Sequence, residues 1–353
     1  MHRSWLASLF LAVLVSASAT GATDVLARFE FDEPHMGTTF RVVLHAPDAD
    51  TAARASRSAF DRIADLDRRL TDYRDDSELM RACREAVRHP VPVSPDVFRV
   101  LSIAQQLARR TEGAFDVTAG ALTRLWRHAR RQGTLPDAAE IDAARAATGY
   151  QLMRLGADDQ ALWLEREGVR IDVGGIAKGY AADRALEVLR SAGLTRAMVV
   201  AGGEMALGDP PPGACGWRVA IAPLEPTIEP GSLEVANAGV STSGDAEQWM
   251  EVDGVRYSHI LDPRTGRPLT RRLAVTVVAP DATTSDMLAT AVAVVGDREG
   301  PRLADEYGAA ALMTVETEGG VPREFRSARW TAQGPAVGSA RGAGACNGSS
   351  SPK

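Results

Sequence analysis

Ile171-Asp172-Val173-Gly174-Gly175-Ile176-Ala177-Lys178-Gly179-Tyr180-Ala181-Ala182-Asp183 is the stretch on which the reading of this chain turns. An apolar strand over 169–173 runs into two glycines, and a helix then opens near Lys178 and stops at Gly193. Glycine at such a junction lets main chain approach a ligand closely, and a helix N-terminus favours an anion. Asp172 brings a carboxylate to the strand end and Lys178 a cation. The glycine spacing fits neither the dinucleotide fingerprint nor a P-loop. On physics alone the stretch is either a phosphate or nucleotide site or a tight structural turn.

Upstream, 162–164 and 169–173 read as a hairpin pair with Gly168 in the turn. Residues 29–44 read as strand, turn, strand, and 50–69 has helical apolar spacing through Ala55, Ala59, Ile63, Leu66 and Leu70. Ser94-Pro95-Asp96 starts a helix to about Arg110, and 118–131 and 136–147 suggest two more. Downstream, 197–200, 217–221, 233–235 and 273–279 read as strands. Thr284 or Ser285 caps a helix running through Met287, Leu288, Ala291 and Val292. Strands and helices mix without a βαβ rhythm, so the fold class expected is α+β, with mixed or antiparallel sheets and packed helices.

The 353 residues carry a net charge of -6 with 45% hydrophobic and 24% charged residues, an ordinary globular balance that gives no support for nucleic acid or a membrane surface as partner. A chain this long buries an extensive core and needs no disulfide or metal to fold. Residues 1–19 read as a cleavable secretory signal, with charge at His2 and Arg3, an apolar run over 5–15, and Ser16-Ala17-Ser18-Ala19 at the cleavage region. The alternative is a buried or amphipathic N-terminal helix. The run falls short of the ~20 residues of a permanent membrane span, and no cysteine lies near it for a lipid anchor. Cys83, Cys215 and Cys346 lack metal-ligand spacing, and their odd number implies at least one free thiol. From about Gly334 the chain is rich in Gly, Ser and Ala and reads as a disordered tail over 334–353.

Two further stretches offer chemistry. In Asp281-Ala282-Thr283-Thr284-Ser285-Asp286-Met287-Leu288-Ala289-Thr290, Asp286 and Thr290 are four apart and share a helix face. A carboxylate beside a hydroxyl suits Mg²⁺; helix capping by Asp286 is the plainer reading. In Tyr257-Ser258-His259-Ile260-Leu261-Asp262-Pro263-Arg264-Thr265-Gly266, His259 precedes a turn and is either a general base beside a phosphate or a bond to turn backbone. Met36-Gly37-Thr38, the 73–79 segment, Gly113-Ala114-Phe115-Asp116-Val117, Gly202-Gly203-Glu204 and Ser241-Thr242-Ser243-Gly244-Asp245 are further candidates that read equally well as turns or caps.

Taken together and in order, from Met36 to about Ala291, these segments resemble the ApbE-type FAD:protein FMN transferases. The resemblance implies an ApbE-like α+β domain over 29–330 that binds FAD with Mg²⁺, releases AMP and links FMN to a Thr or Ser of an exported acceptor protein, a redox-complex subunit. It implies His259 as the catalytic base; Gly175, by its carbonyl, with Asp286 and Thr290 as the Mg²⁺ ligands; and Met36, Tyr73, Ala114, Phe115, Asp116, Asp172, Lys178 and Ile260 as FAD contacts. Glu204 falls where that family is variable. Export to the periplasm follows from the signal. An FAD pyrophosphatase and a non-catalytic, exported FAD-binding protein are the competing readings.

Overall fold

A computed structural model describes residues 26–221, 223–224, 231–244, 248–317, 321–331, 334–335 and 337. Its main sheet has eight strands, and their order in the sheet is their order in the chain. They are β1 (Ala27–His35), β2 (Thr38–Ala46), β3 (Ala197–Ala201), β4 (Glu204–Leu207), β5 (Ala238–Gly244), β6 (Leu273–Ala279), β7 (Ala310–Glu316) and β8 (Pro322–Arg326). Every neighbouring pair is antiparallel, with Phe40 opposite Ala201, Ser241 opposite Glu204 and Thr242 opposite Thr276 fixing the register near the site. Among the described residues, the helices all sit in two excursions from this meander. Those between β2 and β3 are α1 (Ala49–Leu70), α2 (Glu78–Glu85), α3 (Pro95–Arg110), α4 (Gly120–Gln132), α5 (Ala138–Ala146) and α6 (Ala177–Ser191). Between β6 and β7 lie α7 (Ala282–Val295) and α8 (Glu299–Glu306). The class is therefore α+β with antiparallel sheets, as the segment pattern indicates.

Strand alternation decides which face each helix covers. Phe40, Val42 and Leu44 of β2 point into the helical layer, where Ile63 and Leu66 of α1, Ala181, Ala185 and Leu189 of α6, and Leu288 and Val292 of α7 are buried with them. Val43 points the other way, into a second core with Leu207, Val240 and Val278. Trp217 and Leu233, from the paired strands Trp217–Ala220 and Ser232–Val235, close that face. Each fully buried Leu or Phe contributes roughly 1.5–3 kcal/mol, so the two layers fix the sheet from both sides.

The helices α6 and α7 meet where residue 179 has no side chain. A Cβ there would strike the carbonyl of Ala282 and lie 2.8 Å from Asp286 Cβ. Glycine is what lets the start of α6 press on α7. The contact is reinforced from α6 by Asp183, which accepts hydrogen bonds from the amides of Ala282 (2.9 Å) and Thr283 (2.8 Å).

Several expectations need correction. The strand over 161–164 does not pair with 169–173; Ala161–Leu164 lies between Val91–Pro92 and Met153–Gly156. The 169–173 segment is an extended run that makes one isolated bridge, Arg170 with Ala119, and a bond from Asp172 N to Val117 O (2.7 Å). Its alternation reflects burial of Val169, Ile171 and Val173 in the core, not ladder pairing. The cap of α7 is Asp281, which accepts from Thr284 N (2.7 Å), rather than Thr284 or Ser285. Helices α2 and α8 have no counterpart in the sequence reading; each spans eight residues, too few for periodicity to register. Cys83 is a buried free thiol. The signal over 1–19 lies outside the described residues. So does most of the tail, although Gly334–Pro335 pairs with Trp330–Thr331.

Candidate active site

The junction of α6 and α7 forms a floor. Asp286, only 2% exposed, accepts a hydrogen bond from Gly179 N (2.9 Å) across the two helices. It does not cap its own helix, which removes the plainer reading of that residue. The same bond occupies an amide that the glycine motif would have offered to an anion. Thr290, one turn further along α7, faces Gly175: a Cβ on Gly175 would lie 3.2 Å from its Oγ1 and 3.3 Å from Phe115 Cε2. Burial pushes the Asp286 carboxyl above its ordinary range, opposed by the charge of Lys178 and the Gly179 amide. Lys178 Nζ donates to Gly174 O (3.1 Å) and lies 3.5 Å from Glu204 Oε1. Burial works against its charge, but Asp286 and Glu204 outweigh it and hold the ammonium above its usual value.

One wall is built on α4. Arg127 donates to Asp72 Oδ2 (2.5 Å) and Asp172 Oδ2 (3.0 Å), and its guanidinium lies 4.7 Å from the centre of the Tyr73 ring. Asp172 Oδ1 accepts from Gly174 N (2.8 Å), which fixes the bend into the glycines. Tyr73 is 70% exposed at the mouth, beneath that cation. Asp116 Oδ1 accepts from both Thr118 N (2.8 Å) and Thr118 Oγ1 (2.7 Å), while burial raises its pKa. Ala114 and Phe115 are buried beside it. Met36, at a positive φ of 49°, is held by a bond from its amide to Asp67 Oδ2 (3.1 Å).

The opposite wall carries the imidazole. His259 follows the strand Val255–Ser258, which pairs with Trp249–Val252. Its amide donates to Gln248 O (3.0 Å), and Nδ1 lies 3.2 Å from the same carbonyl. A carbonyl can only accept, so in this contact Nδ1 is the donor. Ile260 is buried next to it, its amide donating to Ser258 Oγ (3.1 Å). Trp126 of α4 stacks on Tyr257 and donates to Gly266 O (2.9 Å), tying the two walls together.

All the site residues expected from the sequence line one cavity of about 980 Å³: Met36, Tyr73, Ala114, Phe115, Asp116, Asp172, Gly175, Lys178, His259, Ile260, Asp286 and Thr290. None is stranded elsewhere. Arg127, Asp72 and Gln248 line or brace the same cavity and escaped the sequence reading. Arg127 is 55 residues from Asp72 and 45 from Asp172, and nothing local marks that clamp. The donor set suits a small hard cation: a carboxylate, a hydroxyl one helical turn away, and the main chain at Gly175. Among the described residues no group of three or more His, Cys, Asp or Glu is arranged to hold a metal.

A family model described as the ApbE family matches residues 36–313. A FAD:protein FMN transferase of Vibrio cholerae is 33% identical over 333 residues, covering 92% of this chain and 97% of that one. One from Escherichia coli K12 is 30% identical, covering 84% and 86%. Among solved structures, the flavin transferase ApbE of Vibrio cholerae superposes with a TM-score of 0.78 at 32% identity, over 86% of this chain and 98% of that one. The apo form of the Pseudomonas stutzeri flavinyl transferase ApbE gives 0.76 at 32% identity, over 86% and 95%.

Proposed function

This chain belongs to the ApbE family, and on that premise we propose that it transfers the FMN half of FAD to a Thr or Ser hydroxyl of an acceptor protein, releasing AMP, with Mg²⁺ at the α6–α7 floor. The observation that carries the proposal is the convergence on one cavity of the Asp286–Thr290–Gly175 floor, the Lys178 cation and the His259 imidazole.

Asp286, Thr290 and the carbonyl of Gly175 would hold the metal. Bound there, Mg²⁺ supplies charge neutralisation for the diphosphate and for the departing AMP. Lys178, kept charged by Asp286 and Glu204, adds a fixed cation beside the phosphates. His259, held at Nδ1 by Gln248 O, is the group that takes the proton of the incoming hydroxyl. Tyr73, under Arg127, offers an exposed face on which a flavin or adenine ring stacks. Trp126 and Tyr257 keep the α4 wall and the His259 wall at a fixed separation.

Incubation with FAD, Mg²⁺ and candidate exported redox subunits should give a flavin-fluorescent acceptor band that survives a denaturing gel and disappears with chelator. FMN and AMP appearing in solution without a labelled band would make the protein a pyrophosphatase. Flavin bound without AMP release would make it a binding protein. We further propose that residues 1–19 are removed on export to the periplasm, that 29–330 form the catalytic domain and that 334–353 are a tail. No helix among the described residues is long and apolar enough to cross a membrane. The N-terminal mass of protein recovered from a periplasmic fraction tests the cleavage.

A further inference from the structure

Glu204 opens β4 directly after the Gly202–Gly203 turn, is 7% exposed and lines the cavity. Its two oxygens have different surroundings. Oε1 faces Lys178 Nζ at 3.5 Å. Oε2 is buried and has no hydrogen-bond partner among the described residues. A carboxyl oxygen enclosed in this way carries a desolvation cost that a bound donor would offset.

The space in front of Oε2 is a small polar notch. Gly202 adopts a φ of +70°, and a Cβ added to it would lie 3.8 Å from Glu204 Oε2 and 3.2 Å from Thr38 Oγ1. A Cβ on Gly203 would lie 3.0 Å from Thr242 O. The side chain that Gly202 lacks thus leaves room beside a carboxyl oxygen and a hydroxyl. A phosphate brings no donor to such a gap. A further cation would meet the Lys178 ammonium on the other side of the same carboxyl. What fits is a neutral donor that can also accept, which is the chemistry of an alcohol. Carboxylates hold sugar hydroxyls in this way in dinucleotide sites.

Resting on the flavin-transfer reading, we propose that Glu204 is a substrate-binding residue whose Oε2 accepts a hydrogen bond from a sugar or polyol hydroxyl of FAD in the Gly202–Thr38 notch. Two parts of FAD carry such hydroxyls: the ribose of the AMP half and the ribityl chain of the FMN half. The floor residues between the walls take the diphosphate, so the notch receives one of the two.

The test is binding of FAD, FMN and ADP, measured by calorimetry with Mg²⁺, to the wild type, Glu204→Ala and Glu204→Gln, with circular dichroism to confirm folding. Glu204→Ala should weaken either FMN or ADP about tenfold, the loss expected for one hydrogen bond to a carboxylate, and leave the other within about twofold. Loss on ADP places the contact in the AMP half, and loss on FMN places it in the FMN half. Glu204→Gln, which retains an acceptor oxygen, should recover most of the affinity. Equal weakening of both ligands would overturn the proposal, because it marks an effect on the shared phosphates through Lys178. Unchanged binding of both, or a Gln variant as weak as the Ala variant, would also overturn it. Those results leave flavin transfer standing. Wild-type protein that binds none of the three ligands would overturn both.

Discussion

The seam between α6 and α7 holds two carboxylates in reciprocal positions, and they have different tasks. Asp183 reaches from α6 to the start of α7, where it accepts from Ala282 N, Thr283 N and Thr283 Oγ1. Asp286 reaches from α7 to the start of α6 and accepts from Gly179 N. Burial raises the pKa of both. Asp183 has three donors and borders a different cavity, beside Tyr180 and Arg184. Among the described residues, Asp286 has one protein donor, a lysine beside it, and the 980 Å³ cavity in front of it. Equal chemistry in one seam is thus divided by saturation: the carboxylate whose bonds are complete holds the helices, and the one left incomplete is available to a ligand.

Substitutions can break that contrast. Asp286→Asn should lower transfer by more than the roughly 10–100-fold that loss of an outer partner costs at a metal site, while circular dichroism shows a folded protein. AMP release measured against Mg²⁺ concentration reads the loss. His259→Ala should lower transfer by ~10²–10⁴-fold with FAD affinity retained; wild-type rates in that variant would remove the general-base role. Asp183→Ala should behave in the opposite way, costing about 2–3 kcal/mol of stability by stripping acceptors from the start of α7. Its rate per folded molecule should stay near wild type, and urea unfolding together with single-turnover transfer separates the two quantities.

A smaller effect follows from titration. The Asp183 carboxyl is raised from its ordinary 3.8 to about 6, first by burial and then by the nearby Asp281, against the Thr283 and Ala282 donors. The folded state therefore holds this proton more tightly than the unfolded chain does. The stabilisation is complete below pH 3.8 and is lost as pH rises through about 6, by up to about 3 kcal/mol at roughly 1.36 kcal/mol per pKa unit. Urea titrations from pH 4 to 7 should show this decline in the wild type and a flatter profile in Asp183→Ala.

The sequence exposed one side of this seam better than the other. Asp286 and Thr290 were legible because a spacing of four on a helix places side chains on one face whatever the tertiary structure. Asp183 closed the quoted glycine motif, yet its partner amides lie about a hundred residues away, and no local rule connects them. Gly179, beyond the two junction glycines, carried no reading of its own; its clearance is used by a neighbouring helix. Buried alternation over 169–173 imitated a strand because periodicity records burial, while pairing requires a partner that only the fold supplies. The α+β class was legible from segment order, while the choice between mixed and antiparallel sheets needed the pairing itself. The Arg127 clamp was not, since it depends on α4 crossing over the 172–175 bend.

Calorimetric titration of Mg²⁺ into protein saturated with FAD tests the division of the seam most directly. Uptake of the metal should be lost in Asp286→Asn and preserved in Asp183→Ala. Full Mg²⁺ uptake by Asp286→Asn, or its loss in a folded Asp183→Ala protein, would contradict the assignment.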